Sequence, residues 1–69
     1  MKMALVGYRD GTKDEYTNVL NVGYHLESNK IIIERLGEPT IVYCRDVKCD
    51  NEDTVFIAKY DEISIVIVS

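Results

Sequence analysis

Short apolar segments follow one another along the chain, and in some of them apolar and polar residues alternate with the period of two that is typical of half-buried β-strands. The candidate strands are residues 2–8, 20–27, 31–36, 40–44, 54–60 and 63–68. Valine, isoleucine, tyrosine and threonine supply most of their side chains, whereas alanine occurs only at Ala4 and Ala58. Such side chains suit a pleated surface, so the pattern predicts an all-β protein.

The clearest alternation lies in residues 20–27, where apolar and polar side chains take opposite faces of the predicted strand. The apolar face holds Leu20, Val22, Tyr24 and Leu26, and the opposite face holds Asn21, Gly23, His25 and Glu27. We therefore expect the first set to face the core.

The segment YRDGTKDEY, residues 8–16, is open to two interpretations. The Asp10-Gly11 pair favours a hairpin with a type I′ turn, in which residues 12–16 pair back on residues 2–8. Residues 17–19 then form a bend before the next strand. The alternative is a helix near residues 13–22, with Thr12 as its N-cap and Glu15 completing a capping box. The β-branched residues of this segment are mediocre helix formers, so the hairpin is favoured.

The last segment, ISIVIVS, is apolar on both faces: Ile63, Ile65 and Ile67 alternate with Val66 and Val68. On an open sheet edge such a strand would be a template for aggregation. We expect it to be covered, either as a central strand, which is the favoured interpretation, or at a subunit interface. It is also predicted to form a closing hairpin with residues 54–60 around Asp61-Glu62.

These elements predict one domain over residues 1–69, since a chain this short supports a single thin core. The expected fold is a small antiparallel meander of five to seven strands, forming a curled sheet or an SH3-like open barrel. The alternative is an α+β fold with the one helix near residues 13–22.

Hydrophobic residues make up 46% of the 69 residues, which is high for so small a chain. A thin core cannot bury all of them, so self-association is expected, with tyrosine and aliphatic side chains at the interface. The predicted interface residues are Tyr43, Phe56, Tyr60, Ile65, Val66 and Val68.

The net charge of −4 argues against nucleic acid as a partner, because phosphate binding depends on clustered lysine and arginine. The same scarcity of basic clusters argues against membrane-surface binding, and no apolar run approaches the roughly 20 residues of a membrane span. A cytoplasmic location with reduced thiols is the resulting expectation.

Residues that carry chemistry are few. Cys44 and Cys49 supply at most two zinc ligands, and His25 is the only imidazole, whereas a structural zinc site needs four ligands. The acidic run at residues 50–53 lacks EF-hand spacing and is predicted to be a solvated loop. No nucleophile and base are suitably spaced, so we expect no catalytic residues, no metal and no cofactor.

The predicted function is therefore that of a non-enzymatic interaction protein that forms homo-oligomers and binds or inhibits a larger protein partner. In type, the chain resembles the small acidic accessory proteins of phages and mobile elements. One alternative is a nucleic-acid-binding β-barrel module that uses the tyrosines with Arg9, Arg35 and Arg45. Another is a sensor or sequestering protein that holds a small molecule in a barrel mouth or between subunits.

Overall fold

A computed structural model describes residues 2–46 and 53–69 of the chain. The strands are β1 (Lys2–Tyr8), β2 (Lys13–His25), β3 (Lys30–Arg35), β4 (Thr40–Tyr43), β5 (Thr54–Ile57) and β6 (Ile63–Val68). Two single-turn 3-10 helices, Leu26–Ser28 and Tyr60–Glu62, complete the described elements, and no α-helix occurs among them. The all-β prediction is confirmed. The alternative helix near residues 13–22 is wrong, because β2 runs through that whole segment.

The six strands form one sheet in the order β5-β4-β3-β2-β1-β6, which is not closed into a barrel. The first four strands make the predicted antiparallel meander, and β6 pairs antiparallel with β1. The sheet is nevertheless mixed, because β5 pairs parallel with β4. The expectation of a wholly antiparallel sheet is corrected at this one strand.

The predicted closing hairpin between residues 54–60 and 63–68 is wrong, since β5 and β6 lie at opposite edges of the sheet. Between them the chain makes the Tyr60–Glu62 turn instead of a hairpin turn. The amide of Tyr60 donates to the carbonyl of Cys44, and the amide of Arg9 donates to the carbonyl of Glu62. These bonds tie the connection to the ends of β4 and β1, so it bridges two non-adjacent strands.

The sheet is strongly curled. Tyr8 on β1 and Tyr43 on β4 belong to strands separated by two others, yet their ring centroids are only 6.2 Å apart. Curling encloses the concave face, where the buried hydrophobic side chains gather. This core consists of Ala4, Val6, Tyr8, Val19, Ile31, Ile33, Ile41 and Tyr43.

The Asp10-Gly11 hairpin between β1 and β2 is present, but its turn is not type I′. Within this turn, only Gly11 has a positive φ, of 90°. The amide of Tyr8 donates to the Thr12 carbonyl and the amide of Gly11 donates to the Tyr8 carbonyl. A three-residue loop whose last residue is a left-handed glycine explains this pattern. The Asp10 carboxylate accepts hydrogen bonds from the amide and hydroxyl of Thr12, and the hydroxyl bond is the main cause of its lowered pKa.

The bend predicted at residues 17–19 is a β-bulge within the single long strand β2. Asn18 has a φ of 55°, and the pairing with both neighbouring strands changes register around it. Asparagine tolerates this conformation better than most residues, and its carbonyl accepts a bond from the Leu36 amide at 2.9 Å. The bulge makes Val19 the buried residue, whereas Leu20 is half exposed. The expectation that Leu20, Val22, Tyr24 and Leu26 all face the core is therefore corrected. Of these only Val22 packs against the core, whereas Tyr24 is 52% exposed, and Leu26 lies beyond the end of β2 and is 72% exposed.

Candidate protein interaction site

Among the residues that the structure describes, strand β6 lies at an edge of the sheet and pairs on one side only, with β1. In this register Leu5 is opposite Ile67, and Gly7 is opposite Ile65. Residues directly opposite each other share a face, so both isoleucines lie on the convex face, away from the core. The interpretation of this segment as a central strand is wrong, because no described strand covers its other side.

A contiguous apolar patch results on the convex face, and we call it the β6 surface: Met3, Leu5, Ile65 and Ile67. Ile65 is 51% exposed, Ile67 50% and Met3 47%, while Leu5 is partly covered. Scattered exposed leucines are normal on protein surfaces, but a contiguous patch beside an unpaired strand edge is not.

Gly7 shapes the β6 surface. A Cβ atom at this position would lie 3.0 Å from Cγ2 of Ile65, a tight contact that would require the Ile65 side chain to shift slightly. The absence of a side chain therefore lets Ile65 lie flat across β1. Glycine normally weakens the interior of a strand. At Gly7 the close approach of Ile65 explains why a residue without a side chain occupies this position.

The predicted interface residues on β6 divide between the two faces. Ile65 lies on the convex face, whereas Val66 and Val68 lie opposite Val6 and Ala4 on the other face. Val66 packs against the core, and Val68 is 37% exposed. Ile63, predicted to share a face with Ile65, also packs against the core, because the β1–β6 pairing shifts register beside it. Tyr43 is 0% exposed and belongs to the core.

The remaining two predicted interface residues lie away from β6. Tyr60 packs against the core, with the guanidinium of Arg45 5.9 Å from its ring centroid. Phe56, on the opposite edge strand β5, lines an open depression of about 460 Å³ between residues 28–30 and 44–46. The six predicted residues therefore do not form one surface. The β6 surface could have been predicted from β1, which is apolar on both faces and carries Met3 and Leu5 on its convex face.

The concave face holds a hydrogen-bonded cluster of three tyrosines. The Tyr8 hydroxyl donates to Oδ2 of Asp14 at 2.6 Å. The Tyr8 and Tyr43 hydroxyl oxygens are 2.8 Å apart, and those of Tyr43 and Tyr16 are 2.6 Å apart. Each phenol has one hydrogen to donate, so a chain from Tyr16 through Tyr43 and Tyr8 to the carboxylate gives every hydroxyl hydrogen an acceptor.

Burial is the main cause that raises the pKa of all three phenols above the usual value near 10. For Tyr8 the hydrogen bond to Asp14 adds to this effect, and for Tyr43 the bonds to Tyr16 and Tyr8 add to it. The phenols are thus held in the neutral form, as donors in a structural network.

Several of the tyrosines and arginines considered for nucleic-acid stacking are engaged within the chain. The rings of Tyr8 and Tyr43 are buried and do not offer their faces to a base. The Arg35 side chain donates to the Thr17 carbonyl at 3.0 Å, and Arg45 forms a 2.9 Å ion pair with Asp61.

The candidate metal and thiol residues are not brought together in the described part of the chain. Cys44 is a buried free thiol whose Sγ lies 3.8 Å from the Ile57 carbonyl oxygen. Cys49 and the acidic residues 50–52 lie outside the described residues. Within residues 2–46 and 53–69 no three potential metal ligands form a group.

In comparisons with protein-family models, curated proteins and solved structures, no match to this chain was found. Across the described residues, none of the helical segments has the length and apolar character needed to cross a bilayer. The function is therefore inferred from the geometry of the chain itself.

Proposed function

We propose that this chain is a non-enzymatic protein-interaction module that self-associates through the β6 surface and also binds a larger protein partner. The observation that carries the proposal is that no strand in residues 2–46 and 53–69 pairs with the outer side of β6, which carries two isoleucines that are each about half exposed. Edge strands are normally protected by charged side chains, proline or a covering element. Residues 63–69 contain neither charge nor proline.

Strand addition is the binding mode that this edge favours. A strand that pairs with β6 satisfies its open amides and carbonyls, while its side chains cover the apolar patch. Full burial of an isoleucine is worth roughly 1.5–3 kcal/mol, so covering the exposed halves of Ile65 and Ile67 contributes about 2 kcal/mol from one chain. Because this contribution is small, we expect the contact between β6 and the added strand to be reversible.

The wider biological role is part of the same proposal. A small acidic chain that acts by occupying the surface of a larger assembly would serve as an inhibitor or regulator, as accessory proteins of phages and mobile elements do. The support for this role is the size, the charge of −4 and the open apolar edge.

The test is light scattering coupled to size exclusion, with and without reductant, over a range of concentrations. We expect a multimer under both redox conditions, and we expect Ile67→Lys to weaken association by at least about tenfold, or 1.4 kcal/mol. Val55→Lys is the matched control, because Val55 is an apolar residue, 43% exposed, on the opposite edge strand. A monomeric wild type, or equal dissociation by both variants, would overturn the proposal.

A further inference from the structure

The direction of the backbone groups on β6 follows from its last contact with β1. Met3 and Ser69 exchange two backbone hydrogen bonds, of 2.9 and 3.0 Å. In an antiparallel ladder such pairs alternate with pairs that point their amides and carbonyls away from each other. Ile67 and Ile65 therefore also direct their backbone groups toward β1. The residues whose backbone groups face the open side are Ser64, Val66 and Val68.

These three residues alternate along β6 with equal spacing. Two β6 strands that run antiparallel can therefore place their outward-facing amides and carbonyls opposite each other. When two antiparallel β6 strands are aligned about Val66, each Val66 faces the other, and each Ser64 faces Val68 of the second copy. This register forms three hydrogen-bonded pairs, with two backbone bonds each. Alignments centred on Ile65 or Ile67 form only two such pairs within residues 63–69.

The side chains favour the same register. With Val66 on the two-fold axis, each Ile65 is directly opposite Ile67 of the second copy. Four isoleucines then meet on the convex face in non-hydrogen-bonded pairs, where opposite side chains approach most closely. Residues 63–69 contain no charge, so a self-pair places no like charges opposite each other.

We propose that the occupant of the β6 edge is a second copy of this chain, paired antiparallel with Val66 on the two-fold axis. The two sheets become one continuous sheet, and the same patch serves both subunits, as a two-fold interface requires. This inference rests on the proposed function, and it adds the identity, direction and register of the partner strand.

Cysteine cross-linking tests the register. Ile65→Cys and Ile67→Cys are made separately in a background that carries Cys44→Ala and Cys49→Ser, and circular dichroism checks that each variant is folded. On mild oxidation, the mixture of the two variants is expected to yield at least about tenfold more linked dimer than either variant alone. Only the mixture places two cysteines directly opposite, roughly 4.5 Å apart between Cα atoms. Val55→Cys, mixed with each variant, is the matched control and should not link. If the background variant is unfolded, Cys49→Ser alone replaces it, since Cys44 is buried.

The other outcomes overturn the inference in different ways. Linkage of Ile65→Cys alone, or of Ile67→Cys alone, would move the axis to that residue and exclude Val66. Absence of linkage in a protein that scatters as a dimer would exclude this edge, while self-association itself would stand. A wild type that is monomeric at every concentration would overturn the proposed function together with the inference.

Discussion

The hydroxyl of Tyr43 is expected to stabilise the fold, and Tyr43→Phe removes it while leaving the ring in place. The residue is fully buried at the centre of the tyrosine cluster. Its oxygen lies 2.8 Å from the hydroxyl of Tyr8 and 2.6 Å from that of Tyr16. The substitution therefore breaks the middle of a buried network without opening a large cavity.

The expected loss of stability follows from the hydrogen bonds that Tyr8 and Tyr16 lose when the Tyr43 hydroxyl is removed. Two neutral hydrogen bonds, each worth about 0.5–1.5 kcal/mol, give an upper figure of about 3 kcal/mol. Tyr8 keeps its bond to Asp14, and Tyr16 is only half buried, so water replaces part of what it loses. We expect the free energy of unfolding to fall by about 1–2 kcal/mol. For a domain of this size that corresponds to a decrease in Tm of roughly 5–15 °C.

The assay is urea unfolding followed by circular dichroism, at one fixed protein concentration because association adds to apparent stability. Tyr24→Phe is the matched control, since Tyr24 is 52% exposed and its hydroxyl is not part of the cluster. It should change the free energy of unfolding by less than about 0.5 kcal/mol. Equal stability of the two variants, or a more stable Tyr43→Phe, would refute the view that the network stabilises the fold.

Two further predictions concern pH and the β6 surface. Because burial raises the pKa values of Tyr8, Tyr16 and Tyr43, the folded state binds these protons more tightly than the unfolded state. The stability that these phenols contribute is complete below about pH 10 and is lost as the pH rises further. The free energy of unfolding should therefore fall between about pH 8 and about 11.5, and a flat profile would contradict the reasoning. Gly7→Ala should weaken self-association several-fold by displacing Ile65, with little effect on folding, because alanine also lowers the entropy of the unfolded chain. Sedimentation velocity measures the effect, and unchanged association would show that the position of Ile65 does not matter.

Local pattern was sufficient to predict the strands and the first hairpin. In residues 2–8 a period of two places Ala4, Val6 and Tyr8 on one face of β1, and the structure shows that this face is the one that packs in the core. The Asp10-Gly11 pair correctly predicts a reversal, because a glycine with positive φ relieves the strain of a tight turn. A type I′ hairpin has a two-residue loop, whereas the observed loop has three residues. The Asp10-Gly11 pair alone does not specify the length of the loop.

The bulge in β2 shows where alternation fails. A period of two assigns faces only while the pairing stays in register, and one extra residue reverses every assignment that follows it. Register shifts lie on both sides of Val19, one in the pairing of β2 with β1 and one in its pairing with β3. Val19 is therefore buried and Leu20 is not, while Val22 packs against the core again. The register shift at Ile63 has the same effect at the start of β6.

Composition and short-range pattern are enough to define the class of the protein: an all-β domain, acidic, with more apolar surface than so short a chain can bury. Those properties depend on composition and on neighbours within a few residues. Which strands lie at the edges, and the meeting of Tyr8, Tyr16 and Tyr43 in one cluster, follow only from the folded arrangement of the sheet. Both depend on contacts between residues far apart in the chain, which a local period does not specify. The candidate site lies on β6 because the Tyr60–Glu62 connection carries that strand to the open side of β1.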